Sequence, residues 1–180
     1  MIYPNGDIYI GGFYKGLKNG KGTYTHKSGA VYEGEWKSDK KHGEGVIKYP
    51  NGDVYEGDFY QGLKHGPGSY TYNNGAVFIG DWIEDKRHGK GKMVYPGGEE
   101  VEANWINGVR QGFGLIKYSN GDTFKGNFKD GKREGKGEYI WKNGDRFIGK
   151  WNNDLCTRDG DLIFNNSEEK NNEGSYVKVN

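Results

Sequence analysis

Three histidines recur at a spacing of 23 residues, and this pattern could bind a metal ion. His42, His65 and His88 each precede a Gly-x-Gly triplet, and imidazole is a common ligand of zinc. The same repeat predicts one β-hairpin per copy, so equivalent residues lie two strands, or about 9.6 Å, apart. Two imidazoles on one zinc need their nitrogens within about 2.1 Å of the metal. We therefore predict turn-flanking histidines and no metal site.

The repeated Gly-x-Gly triplets could instead cradle a phosphate. A P-loop ends in Gly-Lys followed by Ser or Thr and leads into a helix, whereas Gly20-Lys21-Gly22 lacks the Ser or Thr and no helical pattern follows it. The single cysteine, Cys156, has no histidine nearby in the sequence, which argues against a thiol nucleophile. We therefore expect no enzymatic activity and no cofactor.

The composition favours a thin structure that buries aromatic rings. Of the 180 residues, 32% are hydrophobic and 15% are aromatic, and 33 residues are glycine. Aliphatic residues for a thick core are therefore scarcer than in ordinary domains. A net charge of +1 predicts no general attraction to nucleic acid. The single cysteine permits a reducing compartment, and the first residues lack a signal-peptide pattern, so we expect a cytoplasmic protein.

Each copy of the 23-residue unit predicts two β-strands. Between Tyr32 and Trp36, ring or glycine residues alternate with glutamates, which puts the rings on one face and the carboxylates on the other. One turn carries Gly or Asp at a fixed place, and the other is usually an Asn-Gly pair such as Asn51-Gly52, in which both residues accept positive φ. The prediction is an all-β fold, an elongated, twisted, single-layer antiparallel meander of roughly fourteen strands.

Glycines on the ring-bearing face explain how a single layer can be stable. Gly11, Gly20 and Gly22 are predicted to lie on that face. A strand glycine lets a neighbouring ring lie over bare backbone, an arrangement called aromatic rescue. Rings seated on glycines along the sheet would then form a thin core without a covering helix.

The repeat resembles a known family, the MORN (membrane occupation and recognition nexus) repeat. The resemblance rests on one motif that recurs, with variations, in each copy. In the second copy it reads Tyr32-Glu33-Gly34-Glu35-Trp36, Asp39, His42-Gly43-Glu44-Gly45 and Asn51-Gly52. It implies a sheet of β-hairpins with an aromatic groove. Family members include ciliary radial-spoke subunits, junctional membrane tethers, cytoskeletal scaffolds and modules attached to lipid kinases or methyltransferases. Their shared theme is holding a partner protein or a membrane, with no chemistry in the repeat itself.

The resemblance covers residues 1 to about 160, and we assign residues 1–164 to an array of about seven repeats. The first copy is expected to lack its opening strand and the last to be incomplete. The polar tail, residues 165–180, is expected to be disordered. In the fifth copy Val101 and Ala103 replace an aromatic residue and a glycine, which indicates a local bend, a contact site or simple drift.

The charges of this neutral chain are segregated between its two sets of turns. Basic residues exceed acidic ones by nine in the first turns, and acidic residues exceed basic ones by nine around the Asn-Gly turns. The basic edge could meet anionic lipid head groups, or it could serve solubility alone. The candidate lipid-binding residues are Lys18, Lys40, Lys41, Lys86, Arg87, Lys132 and Arg133.

The ring face is the second candidate surface. Tyr and Trp dominate binding hot spots, and an extended or helical peptide could lie along a shallow groove of rings. We expect the inner ring faces to be structural and the outer faces to be available to a partner. The predicted groove residues are Tyr32, Trp36, Tyr49, Tyr55, Phe59, Tyr72, Phe78, Trp82, Tyr95, Trp105, Tyr118, Phe124 and Phe128.

Three functions remain open from the sequence. The first is a non-enzymatic scaffold in a cytoskeletal or ciliary setting whose aromatic groove holds a partner protein. The second is a membrane-apposition or phosphoinositide-binding module that uses the basic edge. The third is a targeting or regulatory array belonging to a larger, lipid-kinase-like protein. The free strands at the ends of the meander are also places where two chains can pair into a homodimer.

Overall fold

Hairpins that pair in sequence order build the whole of the described chain. The computed structural model describes residues 1–165, which fall into two units, Met1–Pro96 and the part from Gly97 onward. Residues 166–180, nearly all of the tail for which disorder is predicted, lie outside the described residues. Within residues 1–165 no helix has the length and apolar character needed to cross a membrane.

The first unit contains eight antiparallel strands, each paired with its neighbours in sequence. They are β1 (Ile8–Tyr14), β2 (Leu17–Thr25), β3 (Val31–Lys37), β4 (Lys40–Lys48), β5 (Val54–Tyr60), β6 (Leu63–Thr71), β7 (Val77–Ile83) and β8 (Lys86–Val94). The opening strand that the sequence suggested was missing is present as β1, which forms a full hairpin with β2. That prediction was wrong because Tyr9, Gly11 and Phe13 supply the alternating ring and glycine pattern of an opening strand.

The second unit continues the pattern with six antiparallel strands. They are β9 (Glu100–Ile106), β10 (Val109–Lys117), β11 (Thr123–Lys129), β12 (Lys132–Ile140), β13 (Arg146–Asn152) and β14 (Leu155–Ile163). The predicted fold class, an all-β antiparallel meander of hairpin repeats, is confirmed in both units.

The two kinds of turn differ in backbone conformation. Ser38 and Asp39 both have positive φ, as in the tight two-residue turn whose twist matches that of the flanking strands. In the other turn only the glycine has positive φ: Gly52 does, at 91°, and Asn51 does not. The predicted Asn-Gly turn is therefore present, with positive φ at its glycine alone. The Asn51 side-chain oxygen accepts the backbone N–H of Asp53 at 3.1 Å, which closes a local side-chain turn.

Rings do sit on glycines, as the sequence predicts, but only on some of them. A methyl group at Gly34 would lie 2.5 Å from the Tyr32 hydroxyl, so the ring occupies the space of the missing side chain. Gly11 and Gly22 are likewise covered by the ring of Tyr9. Gly20 carries no ring: it has a φ of 76° and nothing within 4 Å of its would-be methyl group.

The first glycine of each Gly-x-Gly triplet has a different task from the second. The pairing of β3 with β4 shifts register after Gly34, which pairs with Gly45, so that Glu35 pairs with His42. Gly43 lies in this bulge at a φ of 56°, a conformation that a residue with a side chain rarely adopts. The first glycine of the triplet therefore allows the bulge, and the second leaves space for an aromatic ring.

The irregular fifth copy is repacked in the core. Val101 is 1% exposed and Ala103 is 7% exposed, and both lie in the unbroken strand β9. Valine is shorter than the ring it replaces, so the neighbouring position can carry a methyl group instead of a bare glycine. The two substitutions thus compensate each other, and β9 continues without a break.

This ring–glycine packing predicts the effect of one methyl group. In Gly68→Ala the new carbon would lie 2.5 Å from the Tyr55 hydroxyl and 2.8 Å from the ring, so we expect about 1–3 kcal/mol of destabilisation. Tyr55→Val should relieve the clash, and the double variant should lose less than the sum of the single losses. Urea unfolding measures both effects. Gly97→Ala, with open space around its methyl group, is the control, and an equal loss there would contradict the account.

Candidate functional site

Most of the rings predicted to line a groove form the core of the protein. Nine of the thirteen are at most 6% exposed, and three of these have no exposed surface. These nine are Tyr32, Trp36, Tyr55, Phe59, Phe78, Trp82, Trp105, Phe124 and Phe128. The expected available outer faces are therefore absent from these nine, because neighbouring rings and cations cover them.

The buried rings contact one another edge to face. Tyr32 lies 5.2 Å from Trp36 and 5.1 Å from Phe59, with interplanar angles of 86° and 82°. Tyr55 makes the same contacts to Phe59 and Trp82. Such pairs contribute about 0.5–1.5 kcal/mol each beyond their buried area. Each tyrosine also donates its hydroxyl proton to a backbone carbonyl, as Tyr32 does to Glu35 at 2.8 Å.

The other four predicted groove residues keep some exposed surface. Tyr49, Tyr72 and Tyr118 are half-buried and Tyr95 is 38% exposed. Burial raises the pKa of the Tyr49 phenol, and its oxygen accepts a hydrogen bond from Lys64 at 3.4 Å. Among the thirteen predicted groove residues, these four are the ones that could offer a ring to a partner.

The predicted basic edge divides into two groups of cations. One group lies against the rings: Lys41 is 5.5 Å from the centres of Tyr32 and Phe59. The members of this group are Lys18, Lys41, Arg87 and Arg133. Cation–π contacts of this kind contribute about 0.5–2 kcal/mol. The other group, Lys40, Lys86 and Lys132, is exposed at the turns.

Two further cations, Lys64 and Arg110, belong to the first group and were missed in the sequence. Lys64 lies 4.9 Å from the ring centre of Tyr70 and 5.0 Å from that of Trp82, and burial lowers its pKa. Arg110 lies 5.1 Å from the ring centre of Phe128. The signal was present, because all six cations share the alternation phase of the ring-face glycines.

Buried carboxylates tie consecutive hairpins together and were also missed. Asp7 is 2% exposed; it accepts the Tyr24 hydroxyl proton and the Lys27 backbone N–H at 2.9 Å. Both hydrogen bonds lower the pKa of Asp7, which falls to about 2, and the bond from Tyr24 has the larger effect. The bond to Asp7 likewise raises the pKa of Tyr24 to about 12. Asp53 and Asp122 make the same contacts in later copies.

An open trough lies on the face opposite the rings, within the first unit. It has a volume of about 960 Å³ and runs from β2 to β7. Its floor is a row of glycines paired in register across these strands: Gly22, Gly34, Gly45, Gly57, Gly68 and Gly80. Its walls are the residues on either side of each glycine, which project away from the rings.

The walls of the trough are strongly acidic. Six carboxylates and one lysine line it: Glu33, Glu35, Glu44, Glu56, Asp58, Asp81 and Lys21. Glu44 lies directly opposite Asp58 on the neighbouring strand, and like charges in this arrangement are destabilising. None of the six carboxylates forms an ion pair with another residue of the described chain 1–165. The face therefore carries an uncompensated negative charge.

The histidine column lies beside the trough. The Tyr60 ring separates His42 from His65, with ring centres 5.5 Å and 5.7 Å away. Within residues 1–165 no group of three or more His, Cys, Asp or Glu side chains is arranged to hold a metal ion.

Comparison with protein families identifies the repeat. A family model described as the MORN repeat matches six consecutive segments, residues 9–31, 32–54, 55–77, 78–100, 102–123 and 124–146. These segments cover well over half of the 180 residues and follow the hairpins of the structure.

Curated relatives match the chain over short stretches. Phosphatidylinositol 4-phosphate 5-kinase 1 of Oryza sativa subsp. japonica is 47% identical over 45 residues, 25% of this chain and 6% of the kinase. Protein TIC 100 of Arabidopsis thaliana is 45% identical over 47 residues, 26% of this chain and 5% of that protein. A probable serine/threonine-protein kinase of Dictyostelium discoideum is 50% identical over 42 residues, 20% of this chain and 2% of the kinase. The chain thus spans a small fraction of each relative.

The fold is similar to that of a solved structure. It is the SAS-4 (dCPAP) TCP domain of Drosophila melanogaster, in complex with a proline-rich motif of Ana2 (dSTIL). The TM-score is 0.51 at 15% identity, and the match covers 79% of this chain and 76% of that one. At this identity the likeness shows the fold alone.

The buried aspartates that accept a backbone N–H of the next turn, here called carboxylate clamps, predict how the stability of the fold depends on pH. The pKa of Asp7 is lowered in the folded chain from 3.8 to about 2, so its stabilisation is complete above pH 4 and is lost as the pH falls toward 2. Asp7→Asn should unfold at lower urea concentration at pH 7 and show a weaker loss between pH 4 and 2 than the parent. Urea midpoints at stepped pH test this. An unchanged slope in the variant would show that Asp7 is not such a clamp.

Proposed function

We propose that this chain, which belongs to the MORN-repeat family, is a non-enzymatic protein-interaction module that holds a partner polypeptide along the trough of its first unit. One observation carries the proposal. Most of the predicted groove rings are buried in the core, whereas the trough on the other face is open and its carboxylates form no ion pairs with described residues. A surface that is both concave and uncompensated is the better candidate for a partner.

The dimensions of the trough suit an extended segment. From β2 to β7 there are five strand spacings, about 24 Å, and an extended chain advances about 3.3 Å per residue. A segment of about seven residues would therefore fill the trough. The exposed Pro67 and Ile79 in the walls add apolar contact to the polar surface.

The comparisons support an interaction role in general terms. The Drosophila SAS-4 domain with a similar fold is found in complex with a proline-rich motif, so a sheet of this kind can hold a peptide. The relatives in rice and Dictyostelium are named as kinases but match only through a short segment. A regulatory or targeting array within a longer protein is therefore compatible with the same binding activity.

The ring face and the turn edge are the competing surfaces. Four half-buried or exposed tyrosines, Tyr49, Tyr72, Tyr95 and Tyr118, remain available on the ring face. For membrane apposition the exposed cations are Lys40, Lys86 and Lys132, because the other four predicted cations lie on rings. The setting we propose is cytoplasmic, at a cytoskeletal or ciliary assembly, as for other scaffolds of the family.

Site-specific photo-crosslinking tests which face holds the partner. A benzophenone amino acid replaces Ser69 in the trough wall or Tyr72 on the ring face, and each full-length variant is irradiated in extracts of the cells that make the protein. We expect a defined crosslinked polypeptide from position 69, lost when Val46→Trp fills the trough. Crosslinking from position 72 alone would move the site to the ring face, and no product from either position would overturn the proposal. Urea unfolding checks that each variant is folded.

A further inference from the structure

We propose that the segment held in the trough is basic, an extended stretch in which lysine or arginine occupies alternate positions. This inference rests on the proposed function and names the chemistry of its partner. The trough differs from the chain as a whole, whose net charge is only +1, because six of its seven charged wall residues are carboxylates.

The carboxylates form two rows, one on each side of the glycine floor. One row contains Glu35 on β3, Glu44 on β4, Asp58 on β5 and Asp81 on β7, and the other contains Glu33 on β3 and Glu56 on β5. Neighbouring strands lie about 4.8 Å apart, and alternate residues of an extended chain lie about 6.6 Å apart. A cation at every second position of the ligand would therefore lie close to a carboxylate along the trough.

The arrangement of charges within the sheet points the same way. Glu44 and Asp58 are directly opposed, and none of the six carboxylates is neutralised by a described lysine or arginine. The one wall lysine, Lys21, lies opposite Glu35 at the β2 end. A cationic segment would remove this repulsion, whereas an acidic segment or a lipid phosphate would add to it.

The equivalent face of the second unit is different. On that face β9 carries Glu102, β10 carries Phe113 and Leu115, and β11 carries Lys125. Phe113 is 63% exposed. Further along, Lys150 pairs with Asp159 at 2.5 Å. The uncompensated acidic walls therefore belong to the first unit, although the same repeat builds both units.

The test uses synthetic peptides with the full-length chain. The probe is a fluorescein-labelled octapeptide of alternating lysine and serine, and the comparison peptides have alternating glutamate and serine, or four lysines followed by four serines. Fluorescence anisotropy measures the affinities at low salt and near physiological salt. We expect binding of the alternating lysine peptide, weaker binding of the block peptide, none of the glutamate peptide, and loss of affinity with added salt.

Two pairs of variants decide whether the trough is responsible. Glu44→Gln/Asp58→Asn, which keeps the side-chain shapes, should weaken binding of the alternating peptide at least tenfold, and Glu44→Lys/Asp58→Lys should abolish it. The matched control, Glu84→Gln/Asp161→Asn, removes the same charge at exposed positions outside the trough. Equal loss in the control, or binding unaffected by the trough variants, would overturn the inference.

The outcome is separable from that of the proposed function. If a crosslinked partner is obtained from position 69 but its sequence there is neutral or acidic, the trough is the site and the basic-segment inference is wrong. If the octapeptide binds through Glu44 and Asp58 but no cellular partner is crosslinked at position 69, the charge preference stands and the interaction role fails.

Discussion

The seating of an aromatic ring on a pair of cross-strand glycines is the contact on which this structure depends. The Tyr55 ring lies over Gly57 and Gly68, and a methyl group at either position would collide with its hydroxyl or ring atoms. A sheet with one layer has no second layer to bury its apolar face. Rings that lie flat on bare backbone, and then contact the next ring edge to face, supply that burial within the layer itself.

This use of the rings determines which surfaces remain for function. Cations from the first turns close over the ring face, as Lys64 does over Tyr70 and Trp82, so that face becomes a covered core. The opposite face needs no covering, because its glycine row and polar walls have little apolar surface to bury. Binding is therefore best sought on that opposite face, where Glu44 and Asp58 lie directly opposed on neighbouring strands.

Variation between copies shows how much the repeat tolerates. Val101 stands in place of a ring and Ala103 in place of a glycine, and both side chains are buried. The core contact can therefore be rebuilt by two coupled changes. Asp7 and Asp53 clamp their hairpins to the next turn, whereas Ala30 and Ala76 hold the same place in the second and fourth copies. The clamp is thus not needed at every junction, since a ring contact between neighbouring copies, Tyr32 with Phe59, is present after Ala30.

The sequence by itself determined the repeat length, the hairpin meander and the assignment of rings to one face, because these follow from local alternation and turn chemistry. Only the tertiary structure decided that Tyr32 and Trp36 are buried and that Lys41 lies over rings. It also located the trough on the opposite face, where Glu44 meets Asp58. Local spacing gives the direction of a side chain, but exposure and charge neighbours depend on register between strands, including the bulge at Gly43.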